Sequence, residues 1–202
     1  MKKFETLTSW AATLPQPNID TDQIIPAVHL KTVKREGLGR FAFEAARYDK
    51  KGEPNPDFIF NQPKFAKAEI LISGPNFGCG SSREHAVWAL ADIGIRVIIS
   101  EQFADIFATN APKNGMLLIT LSKDGIEELM RHAKTRQVRI DLPNQTVEIE
   151  GTPKKIPFEI DPFDKKCLLE GLDQIALTLE QNAEISAYEA RWKKKTPWLF
   201  HD

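Results

Sequence analysis

Ten consecutive residues, Asn76-Phe77-Gly78-Cys79-Gly80-Ser81-Ser82-Arg83-Glu84-His85, gather most of the reactive side chains of this chain into one short stretch. Gly78 and Gly80 let the backbone turn tightly and present its N–H groups, and the apolar spacing that follows reads as a helix whose positive end points into the same space. Arg83 adds a rigid fork suited to a carboxylate, while Ser81 and Ser82 add hydroxyls at the helix mouth. The combination describes a local anion pocket. Ser81-x-x-Glu84 equally fits a capping box, in which both residues would serve only the helix end. Two other chemistries are poorly matched. Gly78-x-Gly80 lacks the third glycine of a dinucleotide fingerprint and the lysine of a Walker loop. Gly80-Ser81-Ser82 is not a nucleophile elbow, and His85 follows the serines too closely to act as an independently placed base.

Composition narrows the field further. The 202 residues carry 27 Lys+Arg against 28 Asp+Glu, a formal net charge of −1, so no global field favours nucleic acid or an anionic membrane. The two cysteines, Cys79 and Cys167, are too few for a disulfide framework and too few to ligate an iron–sulfur cluster, which takes three or four thiolates. Cys79 reads as a small packed thiol and Cys167 as core. No stretch approaches the roughly 18 consecutive apolar residues of a membrane helix, and the start, broken by Thr6, Thr8, Ser9 and Thr13, does not read as a secretory leader. A cytoplasmic protein is expected.

The elements that must position the pocket are legible on either side of it. Residues 68–73 form a short apolar run ended by Gly74-Pro75, which reads as a buried strand. Ala86, Leu90 and Ile93 recur at helical spacing through residues 83–93, with Gly94 as a stop, and residues 96–100 form a second buried strand. Strand, helix, strand over this length predicts a crossover unit with parallel strands. A short helix over residues 102–109, a strand over 116–121 and a surface helix over 124–135 continue the pattern. Residues 138–142 and 146–149 flank Pro143-Asn144-Gln145 as a hairpin. Helices over 168–179 and 185–192 close the chain. Residues 36–63, rich in Gly, Pro and charge, predict a long loop or flap.

Four stretches stand in order along the chain: Asn18-Ile19-Asp20-Thr21-Asp22-Gln23-Ile24-Ile25-Pro26, Asn55-Pro56-Asp57-Phe58, Asn76 through His85, and Phe103-Ala104-Asp105-Ile106-Phe107. Together they resemble the small subunits of 3-isopropylmalate dehydratases, the leucine-pathway branch of the aconitase superfamily. The resemblance runs from about Asn18 to Leu121. It implies an α/β fold, the swivelling β/β/α domain, with mainly parallel central strands and a C-terminal hairpin and helices. Residues 1–202 would form one such domain, with the flap over about 36–63 and a helical extension over about 165–202.

The resemblance also implies a reaction: interconversion of 2-isopropylmalate and 3-isopropylmalate by removal and re-addition of water. A 4Fe–4S cluster, acting as Lewis acid on the departing hydroxyl, is expected in a separate large subunit, with no cofactor bound by this chain. By match to the superfamily motif, Ser81 would take the proton from carbon and Ser82 and Arg83 would grip a substrate carboxylate. Asp22 matches an active-site aspartate. Arg35, with Gly37 and Gly39, falls where the family carries an arginine and would reach the second carboxylate or the substrate's distinctive side chain, a solvated charge beside Lys34 being the alternative; Leu38 stands where an aromatic is common. Leu30 and Leu38 are candidates to line a pocket for an alkyl group, or simple packing residues. Asn110, Lys113 and Gly115 follow the superfamily spacing Asn-x-x-Lys-x-Gly, but Ala111-Pro112 replaces the Ser-Phe often found there. Gly80 and His85 are further site-lining candidates, and no metal ligands are assigned. His29, His132 and His201 read as structural or surface groups.

The expected partners are therefore a cluster-bearing large subunit and a small dicarboxylate; the site loop and Trp192, Trp198 and Phe200 are candidate contact surfaces for self-association of isolated chains. Related 2-alkylmalate, citraconate or homoaconitate-type dehydratases remain alternatives within the same chemistry. A non-catalytic anion-binding or regulatory module is the alternative outside it, since fold does not fix function.

Overall fold

The computed structural model describes residues 1–80 and 83–199. Two four-stranded sheets organise them. The first is parallel throughout, in the order β2 (Ala11–Leu14), β3 (Ile70–Ser73), β4 (Val97–Ser100), β5 (Leu117–Thr120). The second is antiparallel, in the order β1 (Thr6–Ser9), β6 (Val138–Asp141), β7 (Thr146–Ile149), β8 (Lys155–Pro157).

Alternation along the parallel strands explains the layering. Ile70 and Ile72, Val97 and Ile99, and Leu117 and Ile119 point to one face, where they share a buried core with Val138, Ile140, Val147 and Ile149 of the antiparallel sheet. Leu71, Ile98 and Leu118 point to the other face and pack with Ala86, Val87, Ala89 and Leu90 of α3 (His85–Asp92). Parallel strands covered on both faces are expected to be continuously apolar, and β3 and β4 are buried at every position. The result is a β/β/α stack, as the resemblance implied.

The crossover units follow the expected path. β3 leads through α3 to β4, and β4 leads through α4 (Asp105–Lys113) to its parallel neighbour β5. Gly94, at φ +100°, ends the turn after α3 as read from the sequence. α4 begins and ends later than the predicted 102–109, running through Pro112. Asn114 Nδ2 donates to Asn110 O at 2.9 Å, and Asn114 N and Gly115 N donate to Ala111 O and Pro112 O, so the last turn is closed without the missing proline N–H. α5 (Lys123–Ala133) buries Ile126, Leu129 and Ala133, and the hairpin of β6 and β7 forms as predicted.

Three regions depart from expectation. β1, β2 and β8 were not read from the sequence. Thr6 and Thr8 are exposed while Leu7 and Ser9 are buried, a two-residue alternation hidden by its polar members. The predicted single helix over 168–179 is two, α6 (Pro162–Glu170) and α7 (Gln174–Leu179), divided by Gly171 at φ +73°, with Asp161 and Asp173 as their N-caps. α8 (Asn182–Lys195) follows, with no buried residue.

The segment from 36 to 63 is not an open flap. Leu38, Ala42, Phe43 and Phe60 are buried in the core with α1 (Thr21–Ile24) and α3, around a short helix α2 (Glu44–Arg47). The rings of Phe43, Phe58 and Phe60 pack together with centroids 5.7–5.9 Å apart, Phe43 and Phe60 stacked and Phe58 tilted against both. Gly39 N donates to Asp92 Oδ2 at 2.7 Å, and Asn61 Nδ2 donates to the carbonyls of Arg47 and Asn55. Apolar anchors spaced among charges hold what composition alone suggests is loose. The longest exposed run of the segment is its tip, residues 49–54.

Candidate active site

The loops that leave the carboxyl ends of β2, β3 and β4 continue to pair after the strands end. Gly78 N donates to Ile19 O at 2.8 Å, Thr21 N donates to Cys79 O at 2.8 Å, and Asn76 Nδ2 donates to Asn18 Oδ1 at 2.7 Å. On the other side Phe77 N donates to Gln102 O and Ala104 N donates to Phe77 O. The loop from 75 to 80 is thus sewn between its neighbours at the end of the sheet where open α/β folds bind ligands.

Its shape depends on Gly78 and Gly80. Gly78 has φ +78°, and a Cβ built on it would lie 2.3 Å from Cγ of Phe107. Gly80 has φ +93°, with room for a Cβ only at 3.4 Å from Thr21 Oγ1 and 3.5 Å from Asp20 Cβ. This close approach sets Gly80 against the first turn of α1. Asp20 caps that turn by accepting from Gln23 N at 2.7 Å, and Asp22, in the turn itself, is exposed beside the loop.

Beyond the loop, Arg83 is exposed and α3 begins at His85. Glu84 therefore precedes the helix instead of lying three residues inside it, and its side chain caps nothing; Oε1 accepts from Asn114 Nδ2 at 3.0 Å. The capping-box reading of Ser81-x-x-Glu84 does not match this helix start. Ser81 and Ser82 themselves lie outside the described residues, as does Phe200.

Two family models match the chain. The aconitase C-terminal domain matches residues 1–124, and the C-terminal domain of the 3-isopropylmalate dehydratase small subunit matches residues 175–202. A 3-isopropylmalate dehydratase small subunit from Ruegeria sp. is 51% identical over 203 residues, covering 98% of this chain and 100% of the relative. The corresponding small subunit of Pelagibacter ubique is 51% identical, covering 100% of this chain and 99% of its own. The chain belongs to the family of 3-isopropylmalate dehydratase small subunits. The solved 3-isopropylmalate dehydratase from Methanocaldococcus jannaschii superposes with a TM-score of 0.67 at 26% identity, over 91% of this chain and 99% of that one.

Within this family fold, the remaining residues expected at the site separate into two groups. Arg35, His85 and Lys113 fall near the loop on one side. Arg35 lies over the ring of Trp88, its guanidinium carbon 5.2 Å from the centroid. The His85 ring lies tilted against the same ring with centroids 4.7 Å apart, and its Nε2–H donates to Thr32 O at 2.9 Å. Arg35, Glu84, Lys113 and Asn114 line a polar cavity of about 350 Å³, closed from the other side by Asp173 and Ile175 at the start of α7. The Asn110 backbone joins through its carbonyl, which accepts from Asn114.

Leu38 does not line a pocket: it is 2% exposed and packs in the core, the simpler of its two sequence readings. Leu30 is half-buried against the same core. Two larger hollows, of about 490 Å³ between α4, α6 and α7 and about 670 Å³ beside residues 40–52, contain none of the described loop residues. Sequence reasoning missed Trp88 and Asn114, whose mutual hydrogen bond, Trp88 Nε1–H to Asn114 Oδ1 at 3.0 Å, organises this side of the site.

Among the described residues no group of three or more His, Cys, Asp or Glu side chains is placed to hold a metal ion. Cys79 is half-exposed in the loop, and Cys167 is buried in α6, where burial pushes its thiol above the ordinary range, with Asp164 adding to the effect. These two cysteines do not form the ligand set of an iron–sulfur cluster. His29 is a structural group, hydrogen-bonded to Glu44 at 2.7 Å and stacked on Phe41 at 3.6 Å. No described helix is long and apolar enough to cross a membrane. In the C-terminal extension Trp192 and Trp198 are exposed.

Proposed function

We propose that this chain is the small subunit of a heteromeric, cytoplasmic hydro-lyase that isomerises 2-isopropylmalate and 3-isopropylmalate in leucine biosynthesis. The observation that supports it most is the full-length match to small subunits of 3-isopropylmalate dehydratase at about 50% identity. In this reading residues 1–202 act as one swivel-type domain closing over a large subunit. That partner holds the 4Fe–4S cluster, whose role when bound is to act as Lewis acid toward the departing hydroxyl.

The residues of this chain supply the remaining groups. Arg83 and Ser82 bind one carboxylate of the diacid, and Arg35 binds the other carboxylate or borders the alkyl group. Ser81 takes the proton from carbon. A serine hydroxyl is far too weak an acid to do this in water, so its alkoxide needs preorganised donors in a dry site. Backbone N–H groups of a glycine-flanked loop and the positive end of a helix are donors of the kind required, and a closing partner would exclude water. Asp22, on the turn that packs against Gly80, is assigned to the proton or water network.

Anaerobic reconstitution with the large subunit tests the reading. Combined subunits should dehydrate 3-isopropylmalate, faster than citraconate or a homoaconitate-type diacid, and each subunit alone should be inactive. Preference for another diacid would move the assignment to a neighbouring dehydratase, and turnover by this chain alone would overturn the division of labour.

A further inference from the structure

We propose that Asn114 is a positioning residue for substrate binding, acting through Trp88 and Glu84 on the placement of Arg35 and Arg83. The proposal rests on the reading of those two arginines as carboxylate-binding groups.

A residue at the end of a helix ordinarily spends its side chain on that helix, and one of the three contacts of Asn114 does so, the 2.9 Å bond to Asn110 O. The other two cross to the neighbouring helix. Nδ2 donates its second hydrogen to Glu84 Oε1 at 3.0 Å, and Oδ1 accepts from Trp88 Nε1–H at 3.0 Å. Asparagine has two amide hydrogens and one carbonyl oxygen, so these contacts use both donors and the acceptor. Aspartate would lose both donors and set a carboxylate against that of Glu84. Leucine would lose all three bonds.

Each crossing contact leads to a binding arginine. Glu84 is the residue after Arg83, so fixing its side chain fixes the end of the loop that carries Arg83. Trp88 is the platform under Arg35, and the bond to its indole N–H sets the plane over which the guanidinium lies at 5.2 Å. His85, 4.7 Å from the same ring, packs on it as well. Asn114 also lines the 350 Å³ cavity together with Arg35, so the relay borders the same space as one of the two arginines.

The kinetic signature follows from what is perturbed. Carboxylate binding is common to ground state and transition state, so its loss raises KM and leaves kcat nearly unchanged. In the reconstituted enzyme Asn114→Ala and Asn114→Asp should each raise KM roughly tenfold, the loss of a charge-assisted hydrogen bond, with kcat within about twofold. Asn114→Asp combined with Glu84→Gln exchanges donor and acceptor across the contact to residue 84, though not at Asn110 O, and should recover part of the loss in KM. Trp88→Phe, which keeps a ring but removes the N–H, should raise KM about threefold. In the isolated chain, NMR of the four tryptophan indole N–H groups should show the Trp88 resonance alone shifted by Asn114→Ala.

A fall in kcat at unchanged KM, or failure of the double variant to recover any of the loss in KM, would overturn the proposal. An unmoved Trp88 resonance would do the same even if Asn114→Ala failed to assemble. Arg35→Ala and Arg83→Ala serve as the reference. If they raise KM and the Asn114 variants do not, the relay alone is wrong; if they leave KM unchanged, the binding roles of the arginines are wrong.

Discussion

Gly78→Ala places the shape of the site loop under direct test. The residue has φ +78°, where an alanine costs roughly 1 kcal/mol, and its new Cβ would stand 2.3 Å from Cγ and 2.6 Å from Cβ of Phe107. Phe107 cannot simply retreat, being 3% exposed and packed edge-on against Phe77 at 5.3 Å. Overpacking of this kind adds about 1–3 kcal/mol, for a total of about 2–4 kcal/mol. In a chain of this size that lowers the melting temperature by roughly 4–16 °C. Urea unfolding monitored by circular dichroism measures the loss, and the Gly78→Ala/Phe107→Ala double variant measures its origin. Because alanine at position 107 removes the Cγ and Cδ2 atoms that the added methyl would meet, the two changes should offset each other by about 1 kcal/mol or more relative to additivity. A Gly78→Ala variant within about 0.5 kcal/mol of the parent would refute the reasoning, since ordinary surface changes stay within that range. Strict additivity of the pair would refute the steric part.

Two further predictions concern groups away from the loop. Asp141, at the end of β6, accepts from Asn144 N at 2.9 Å and from Asn144 Nδ2 at 3.1 Å, the backbone bond being the larger of the causes that hold its carboxyl below the usual carboxylate range. A carboxyl with a depressed folded pKa stabilises the fold above its unfolded pKa, near 3.9, and loses that contribution as pH falls through the folded value. Asp141→Asn should therefore flatten the acid limb of the stability–pH curve below about pH 4, and an unchanged limb would remove Asp141 from it. Native alkylation with iodoacetamide should modify the half-exposed Cys79 and spare Cys167, whose buried thiol is held protonated, until the chain is unfolded. Equal labelling of both in the native state would contradict the burial of Cys167.

The sequence was most informative where periodicity and punctuation agreed. β3, α3 and β4 carry continuous apolar runs, and Gly74 and Gly94 mark their ends, so both the crossover and the loop between them could be read directly. β1 escaped because threonines occupy its exposed positions and mask the buried alternation. The packing of residues 36–63 escaped because Phe43 and Phe60 are far apart in sequence and meet only around the end of α3. The break at Gly171 was available in the sequence, since Asp161-Pro162 and Asp173 are both helix-start signals and a glycine sits between them. For the site, the glycines, serines and Arg83 were legible as a local cluster, whereas Asn114 and Trp88 matter through contacts 26 residues apart that no local spacing encodes.

The central claim is that this chain brings to a shared active site the group that takes the proton from carbon, on Ser81. Turnover of 3-isopropylmalate by the anaerobically reconstituted heteromer carrying Ser81→Ala measures it most directly, with subunit association checked on the same sample by size-exclusion chromatography. The expected result is an assembled complex without detectable dehydration or isomerisation, with the variant chain folded as the parent by circular dichroism. Undiminished turnover in the assembled variant would contradict the claim and take Ser81 out of the chemistry.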